Sequence, residues 1–194
     1  MFNPKLIHYK IILASGSPRR QQFFRDLNLD FEIRIKEIEE VFPPDLKAEA
    51  ITNYLAELKA SAFEGELKEN EILITSDTLV WHNRKALGKP TDYEDAFQIL
   101  KSLSNATHEV ITSVCFKTIQ KTETIFEVTK VTFNELTDEQ IHYYIKNYQP
   151  FDKAGAYGIQ EWIGFIGVSK IEGSYANVMG LPVDKVFQYL NSIP

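Results

Sequence analysis

Two spacings of apolar residues alternate along the chain. Ile7 to Ala14 is an apolar run, closed by Lys10 to Ala14, that reads as a buried strand. Ser17-Pro18 then opens a helix to about Leu27, with serine at the cap and proline at the first helical position. Phe31 to Ile35 alternates like a short strand, and Pro43-Pro44 is a break. Further on, Ala48, Ile51, Leu55, Leu58 and Ala62 fall on one helical face. Ile72 to Trp81 predicts a second strand, broken at Thr75-Ser76-Asp77-Thr78. Asp92 to Leu103 predicts a helix with Ala96, Leu100 and Leu103 in register. Glu109 to Asn134 predicts a long hairpin turning near Gln120 to Thr124. Asp138 to Lys146 reads as a helix capped by Thr137 or Asp138, and Phe151 to Gln160 as a glycine-containing loop. Trp162 to Ile171 reads as a strand and Leu181 to Asn191 as a final helix. Such an order is α/β with a mixed sheet, because the two arms of a hairpin cannot be parallel.

Composition adds limits. A chain of 194 residues without repeats or a linker fits a single domain over residues 1–194. The lone Cys115 excludes an intrachain disulfide and any C-x-x-C site, and its neighbours make it a small core residue. The first residues hold no apolar signal region, and no apolar stretch approaches the ~18 residues of a membrane helix. A cytoplasmic chain with no membrane partner is expected. Lys and Arg total 21 against 27 Asp and Glu, a formal charge of −6, which argues against nucleic acid as a partner. The four histidines are scattered without metal-ligand spacing, and no G-x-S-x-G, Walker A or G-x-G-x-x-G motif occurs.

Against that acidic background, a few residues stand out. In Ala14-Ser15-Gly16-Ser17-Pro18-Arg19-Arg20 a strand ends, a small-residue turn follows, and two arginines occupy the first turn of a helix. A helix N-terminus is already partly positive, so cations there make sense if an anion sits among N–H groups, the Ser15 and Ser17 hydroxyls and guanidinium groups. The bland alternative is a solvated arginine pair. Asp77 stands inside an apolar strand, where an unpaired carboxylate is costly. A metal, a cation or a reacting water would compensate, unless it caps a strand break. Lys59 lies at the border of the buried stripe of its helix, as a snorkelling lysine also would. Glu37, Glu39 and Glu40 form an acidic cluster able to give Mg²⁺ an oxygen ligand, or simply a solvated loop. Lys89 follows Leu87-Gly88. Lys153 and Gln160 share a segment with two glycines, and an amide can read a base edge.

With these residues the chain resembles the Maf family of nucleoside triphosphate pyrophosphatases. Seven elements match in order: Ala14 to Arg20; Ile38-Glu39-Glu40; Lys59-Ala60; Ser76-Asp77-Thr78 with Leu87-Gly88-Lys89-Pro90; Leu103-Ser104 with Thr107-His108-Glu109-Val110; Asp152 to Gln160; and Asn177 to Pro182. The resemblance implies an elongated mixed α/β fold of two lobes around a cleft, related to inosine triphosphatases. It implies a house-cleaning hydrolase that splits a nucleoside triphosphate into monophosphate and pyrophosphate with Mg²⁺ or Mn²⁺, and a possible homodimer. Asp77 matches the family's proton acceptor, and Glu40, in preference to Glu39, would join it at the metal. Ser15, Ser17, Arg20, Lys59, Lys89 and Lys153 would meet the phosphates. Arg19, Thr78 and Gln160 match the positions that separate subfamilies, and resemble those acting on dTTP and UTP. Members preferring 7-methyl-GTP have Trp, Gln and Glu there. Two features depart from the family: Asn105 stands where Gly is common, and His82-Asn83-Arg84-Lys85 lacks the usual Asp-Gly. A carboxylate among cations is a weak base, so orienting the attacking water ranks above taking its proton. The competing readings are a 7-methyl-GTP pyrophosphatase and a non-catalytic nucleotide-binding regulator of cell division.

Overall fold

The computed structural model describes residues 2–193. Its strands are β1 (Lys10–Leu13), β2 (Phe31–Ile33), β3 (Glu71–His82), β4 (Lys85–Leu87), β5 (Thr107–Lys117), β6 (Thr122–Phe133) and β7 (Val168–Glu172). Its helices are α1 (Pro18–Asp26), α2 (Glu49–Ser61), α3 (Tyr93–Leu103), α4 (Asp138–Tyr148), α5 (Trp162–Gly167), α6 (Tyr175–Val178) and α7 (Val183–Asn191). Among the described residues the strands are hydrogen-bonded in the order β2-β1-β3-β5-β6-β7, with β4 also on β3. β1 runs parallel to β2 and β3, while β4 and β7 pair antiparallel with β3 and β6. The sheet is therefore mixed, as the hairpin requires. No helix among the described residues is long and apolar enough to cross a membrane.

The chain divides into two compact units. The first holds residues up to Asp77 with 112–127 and Gly180 onward; the second holds 78–111 and 128–179. β3, β5 and β6 give residues to both, and on β3 the division falls between Asp77 and Thr78.

In the first unit the period of two sorts side chains onto two faces. Ile11, Leu13, Ile72, Ile74, Val114 and Phe116 pack with Phe24 of α1 and with Val186 and Leu190 of α7. Ile12, Leu73 and Cys115 take the opposite face and pack with Ala56 and Ala60 of α2. Cys115 is thus the core residue its neighbours suggest, and burial pushes its thiol up from the ordinary range. The second unit has its own core. Ala96, Leu100 and Leu103 of α3 and Ile141, Tyr144 and Ile145 of α4 close over Val80, Val131, Phe133 and Ile163.

Several elements differ from the pattern in the sequence. Ile7 lies in a 3-10 turn, Pro4–His8, and is 84% exposed; Asn3 caps that turn by accepting from Lys5 N, and the strand starts only at Lys10. β3 runs unbroken through Thr75-Ser76-Asp77-Thr78. β4 has no counterpart in the hydrophobic pattern: Asn83 and Arg84, at φ 49° and 61°, make a two-residue turn with both centres left-handed, which suits a tight hairpin. Trp162 to Ile171 is helix α5 followed by β7, because Ile163, Gly164 and Gly167 are buried while Phe165 and Ile166 face out. Gly164 has no room for a side chain, since a Cβ would lie 1.9 Å from Ile159 O. The segment 151–160 is not plain loop but holds two 3-10 turns, Pro150–Asp152 and Ala154–Ala156. Of the two expected caps of α4, Thr137 takes the position and forms a reciprocal capping box with Gln140.

Candidate active site

Asp77 follows from strand geometry. On β3, Leu73 points toward α2, so Thr75 and Asp77 share that face. Thr75 Oγ1 donates to Ala56 O of α2 at 2.6 Å. Two residues on, Asp77 Oδ1 accepts from Lys59 Nζ at 2.7 Å. Lys59 lies one turn past Ala56 and next to the buried Ala60, at the edge of the packed stripe. The same ammonium lies 2.9 Å from Glu40 Oε1. Asp77 is buried, Lys59 half-buried, and the Glu40 side chain 42% exposed. The predicted metal ligand, proton acceptor and lysine thus come from a loop, a strand and a helix to one point.

The turn before α1 stands beside them in the first unit. Ser17 caps α1, its Oγ accepting from Arg20 N at 3.5 Å, and Ser17 N donates to Ser15 Oγ at 3.3 Å. Ser15 is buried, and its carbonyl accepts from Gln21 Nε2 at 3.1 Å. Arg20 reaches away from its helix. Its Nε donates to Gly180 O at 2.8 Å and its Nη1 to Ser76 O at 2.9 Å. Loss of hydration pulls this guanidinium down from its ordinary value, Asp77 opposes that, and Arg19 adds to it. An arginine stays charged through such shifts. Arg19 is half-buried at the same helix end.

The second unit holds the other predicted residues. Thr78 is half-buried on β3, directly after Asp77 in the chain. Gly155 N donates to Gly88 O at 3.0 Å, tying the Lys153 segment to the turn that carries the exposed Lys89. Gly155 sits at φ 69°, and a Cβ on it would lie 2.6 Å from Val80 Cγ2, so glycine is required twice over. Lys153 is buried, with Asp152 Oδ1 2.7 Å and Glu161 Oε1 3.3 Å from its Nζ. Gln160 is half-buried on a turn between Gly158 and Glu161. Glu161 and its partner Tyr144 escaped sequence reasoning, and the one available signal was a carboxylate beside a predicted base reader. His108 is buried, with its Nε2 2.7 Å from the Tyr157 hydroxyl. Burial, then His82, pushes its imidazole down to about 3, so it is neutral and serves packing.

No group of three or more His, Cys, Asp or Glu among the described residues is placed to hold a metal ion alone. Two carboxylates, Glu40 and Asp77, do converge at Lys59. That donor set suits a hard cation such as Mg²⁺, which takes one or two carboxylates and completes its shell with water and phosphate oxygens. It does not suit a zinc or calcium cage. A cavity of about 380 Å³ lined by Phe63, Leu67, Lys117 and Lys121 holds none of the predicted residues.

Residues 10–193 match the family described as Maf-like protein. A dTTP/UTP pyrophosphatase of Flavobacterium johnsoniae is 70% identical over 193 residues, covering 100% of both chains. One of Flavobacterium psychrophilum is 65% identical, covering 98% of this chain and 97% of that one. Another, of Christiangramia forsetii, is 52% identical, covering 100% and 98%. Among solved structures, the Staphylococcus aureus Ham1 protein is 16% identical over 81% of this chain and 90% of that one, with a TM-score of 0.46, a likeness too slight to bear on the fold. With the family matched over residues 10–193 and relatives this similar along their whole length, the chain belongs to the Maf family.

Proposed function

We propose that the chain hydrolyses dTTP and UTP to the monophosphate and pyrophosphate. The observation that carries this is the meeting of Asp77, Lys59 and Glu40: a buried carboxylate, an ammonium and a second carboxylate within hydrogen-bonding reach. The names of the relatives agree with it. Glu40 and Asp77 are the residues to hold a divalent cation, which when bound draws charge from phosphate oxygens.

Asp77 orients a water molecule toward the α-phosphorus. The water oxygen bonds to phosphorus, the bond from phosphorus to the bridging oxygen breaks, and pyrophosphate leaves with that oxygen. The proton from water passes to Asp77 or to solvent. Lys59 holds Asp77 in place, and with Asp77 and Glu40 both beside it offsets less charge on the departing group than a lone ammonium would. Arg20, Lys89 and Lys153 are assigned to the phosphates with Ser15 and Ser17. Lys153 does this with two carboxylates beside it, so its net field is weaker than that of a lone ammonium. Arg19, Thr78 and Gln160 are assigned to the base. Thymine and uracil show two carbonyl acceptors flanking an N–H donor; arginine donates, an amide does both, and threonine leaves room.

Asp77→Asn tests the assignment. Loss of a positioned base or metal ligand lowers kcat by ~10²-fold or more, with the fold retained. Hydrolysis in ¹⁸O-water should label the monophosphate. Near-normal kcat in Asp77→Asn would remove Asp77 from the reaction, and label in pyrophosphate would move attack to the β-phosphorus.

A further inference from the structure

Gln160 lies on a turn held at both ends by one side chain. Gly158 N donates to the Tyr144 hydroxyl at 3.0 Å, and that hydroxyl donates to Glu161 Oε2. Glu161 N closes the turn on Gly158 O at 3.0 Å. Glu161 Oε1 in turn meets Lys153 Nζ at 3.3 Å. Tyr144 comes from α4, is fully buried and stacks on Tyr148 with ring centres 5.1 Å apart. Burial, then Glu161, pushes its phenol well up from the ordinary value, so it keeps the proton it donates.

Gly158 supplies the third part. A Cβ there would lie 2.8 Å from Glu161 Cδ and 3.0 Å from Gln160 Nε2. The Gln160 amide therefore lies over the Gly158 backbone, in space any side chain would fill. A fully buried phenol held on a half-buried carboxylate is a costly way to close a surface turn, since the phenol must find its partners inside the protein. Selection by hydrogen bonds needs its donors and acceptors held to within about 0.5 Å, and such a network provides that.

We propose that Tyr144 and Glu161 are positioning residues that fix the turn bearing Gln160, so that preference for a pyrimidine base depends on them. The inference rests on the reading of Gln160 as a base-contacting residue.

The test measures kcat and KM for dTTP, UTP, ATP and GTP, inhibition by inorganic tripolyphosphate, and thermal unfolding. Wild type is compared with Tyr144→Phe, Glu161→Gln and Glu161→Ala. Tyr144→Phe keeps the ring and loses the hydroxyl. Its kcat/KM for dTTP and UTP should fall roughly tenfold, chiefly through KM, with ATP and GTP changed much less. Tripolyphosphate, which has no base, should inhibit wild type and variant alike. Glu161→Gln keeps an oxygen that accepts from Tyr144 and should keep the preference; Glu161→Ala should lose it. A wild type that prefers pyrimidines, with a Tyr144→Phe variant that keeps that preference, overturns this inference alone. Equal losses for all four nucleotides and tripolyphosphate overturn it too, by showing general damage. A wild type without pyrimidine preference overturns the base-reading assignment and this inference with it. Should Tyr144→Phe fail to fold, the contrast between Glu161→Gln and Glu161→Ala decides.

Discussion

Removing Lys59 should damage the folded protein more than removing Asp77, although the two form one ion pair. A single ammonium faces two carboxylates, Asp77 Oδ1 at 2.7 Å and Glu40 Oε1 at 2.9 Å. Asp77→Asn leaves Lys59 with Glu40 and gives it an amide oxygen that still accepts. Lys59→Met keeps most of the apolar stem but leaves Asp77, its side chain 10% exposed, with no cation between it and Glu40. Stranding one member of a buried pair costs ~3–5 kcal/mol when burial is complete. Here the Glu40 side chain is 42% exposed and can turn to water, and the Arg20 charge still acts on Asp77, so the cost falls below that range. We expect a loss of about 2–3 kcal/mol for Lys59→Met and less than about 1 kcal/mol for Asp77→Asn. The double variant carries no stranded charge. It should be about 1–2 kcal/mol more stable than Lys59→Met, so the favourable coupling is that gain plus the cost of Asp77→Asn alone, about 1–3 kcal/mol. The assay is urea unfolding at neutral pH, followed by circular dichroism and tryptophan fluorescence. A chelator keeps divalent cations from taking the place of the ammonium, and an unchanged m-value shows that the denatured state is unaltered. A double variant as unstable as the two single losses added together would refute the reasoning. So would an Asp77→Asn protein less stable than Lys59→Met.

Three further outcomes follow from features away from the site. Glu71→Gln should cost about 2–4 kcal/mol in denaturant unfolding, because this buried carboxylate takes Arg34 Nη2 and Nη1 at 2.6 and 3.1 Å and Lys68 N at 3.1 Å. Arg34 hydrogen bonds hold Glu71 below the usual carboxylate range and, with Lys10, hold Glu32 down to about 2. Carboxyls depressed on folding contribute stability that is complete above their unfolded value near 4.3 and lost as pH falls through the folded one. Thermal scans should therefore show Tm falling below about pH 4.5, less steeply in Glu71→Gln, and an unchanged slope in that variant counts against the assignment. Arg84→Gly should raise stability by about 0.5–1 kcal/mol, since glycine removes the left-handed strain at φ 61° but adds freedom to the unfolded chain. A loss of stability there would mean that the arginine side chain holds the hairpin.

What could be read from the sequence was set by distance along the chain. The two faces of the first unit were legible because a period of two and a period of 3.6 are local properties, and β1, β3 and α2 keep them cleanly. Asp77 was legible as an anomaly for the same reason, yet the strand break expected around it is absent. Thr75 and Asp77 satisfy their polar atoms with Ala56 O and Lys59, so the backbone need not leave the ladder. Those partners stand 19 and 18 residues away, and nothing local announces them. Glu71 and Arg34 are 37 apart, and Tyr144 and Glu161 are 17 apart. Each looks like an ordinary residue until the fold pairs it. Trp162 to Gly167 failed for a different reason. Its run of aromatic, aliphatic and glycine residues has no polar positions to fix a period, and the helix is chosen by close approach of Gly164 to Ile159.

The arginine pair carries two kinds of demand in one helical turn. Cations in the first turn of a helix point to an anion. Arg20 sends Nε and Nη1 to the carbonyls of Gly180 and Ser76, both in the first unit. It bridges the start of α1, the strand residue before Asp77 and the chain just ahead of α7. Two jobs thus meet in one side chain: its charge acts on Asp77 and Glu40, while two of its N–H groups hold backbone. A lysine there would keep the charge and lose the fork, because its donors radiate from a single nitrogen. The geometry therefore asks for arginine at position 20 on structural grounds as well as for its charge, and the charge it lends to a phosphate is shared with Asp77 and Glu40.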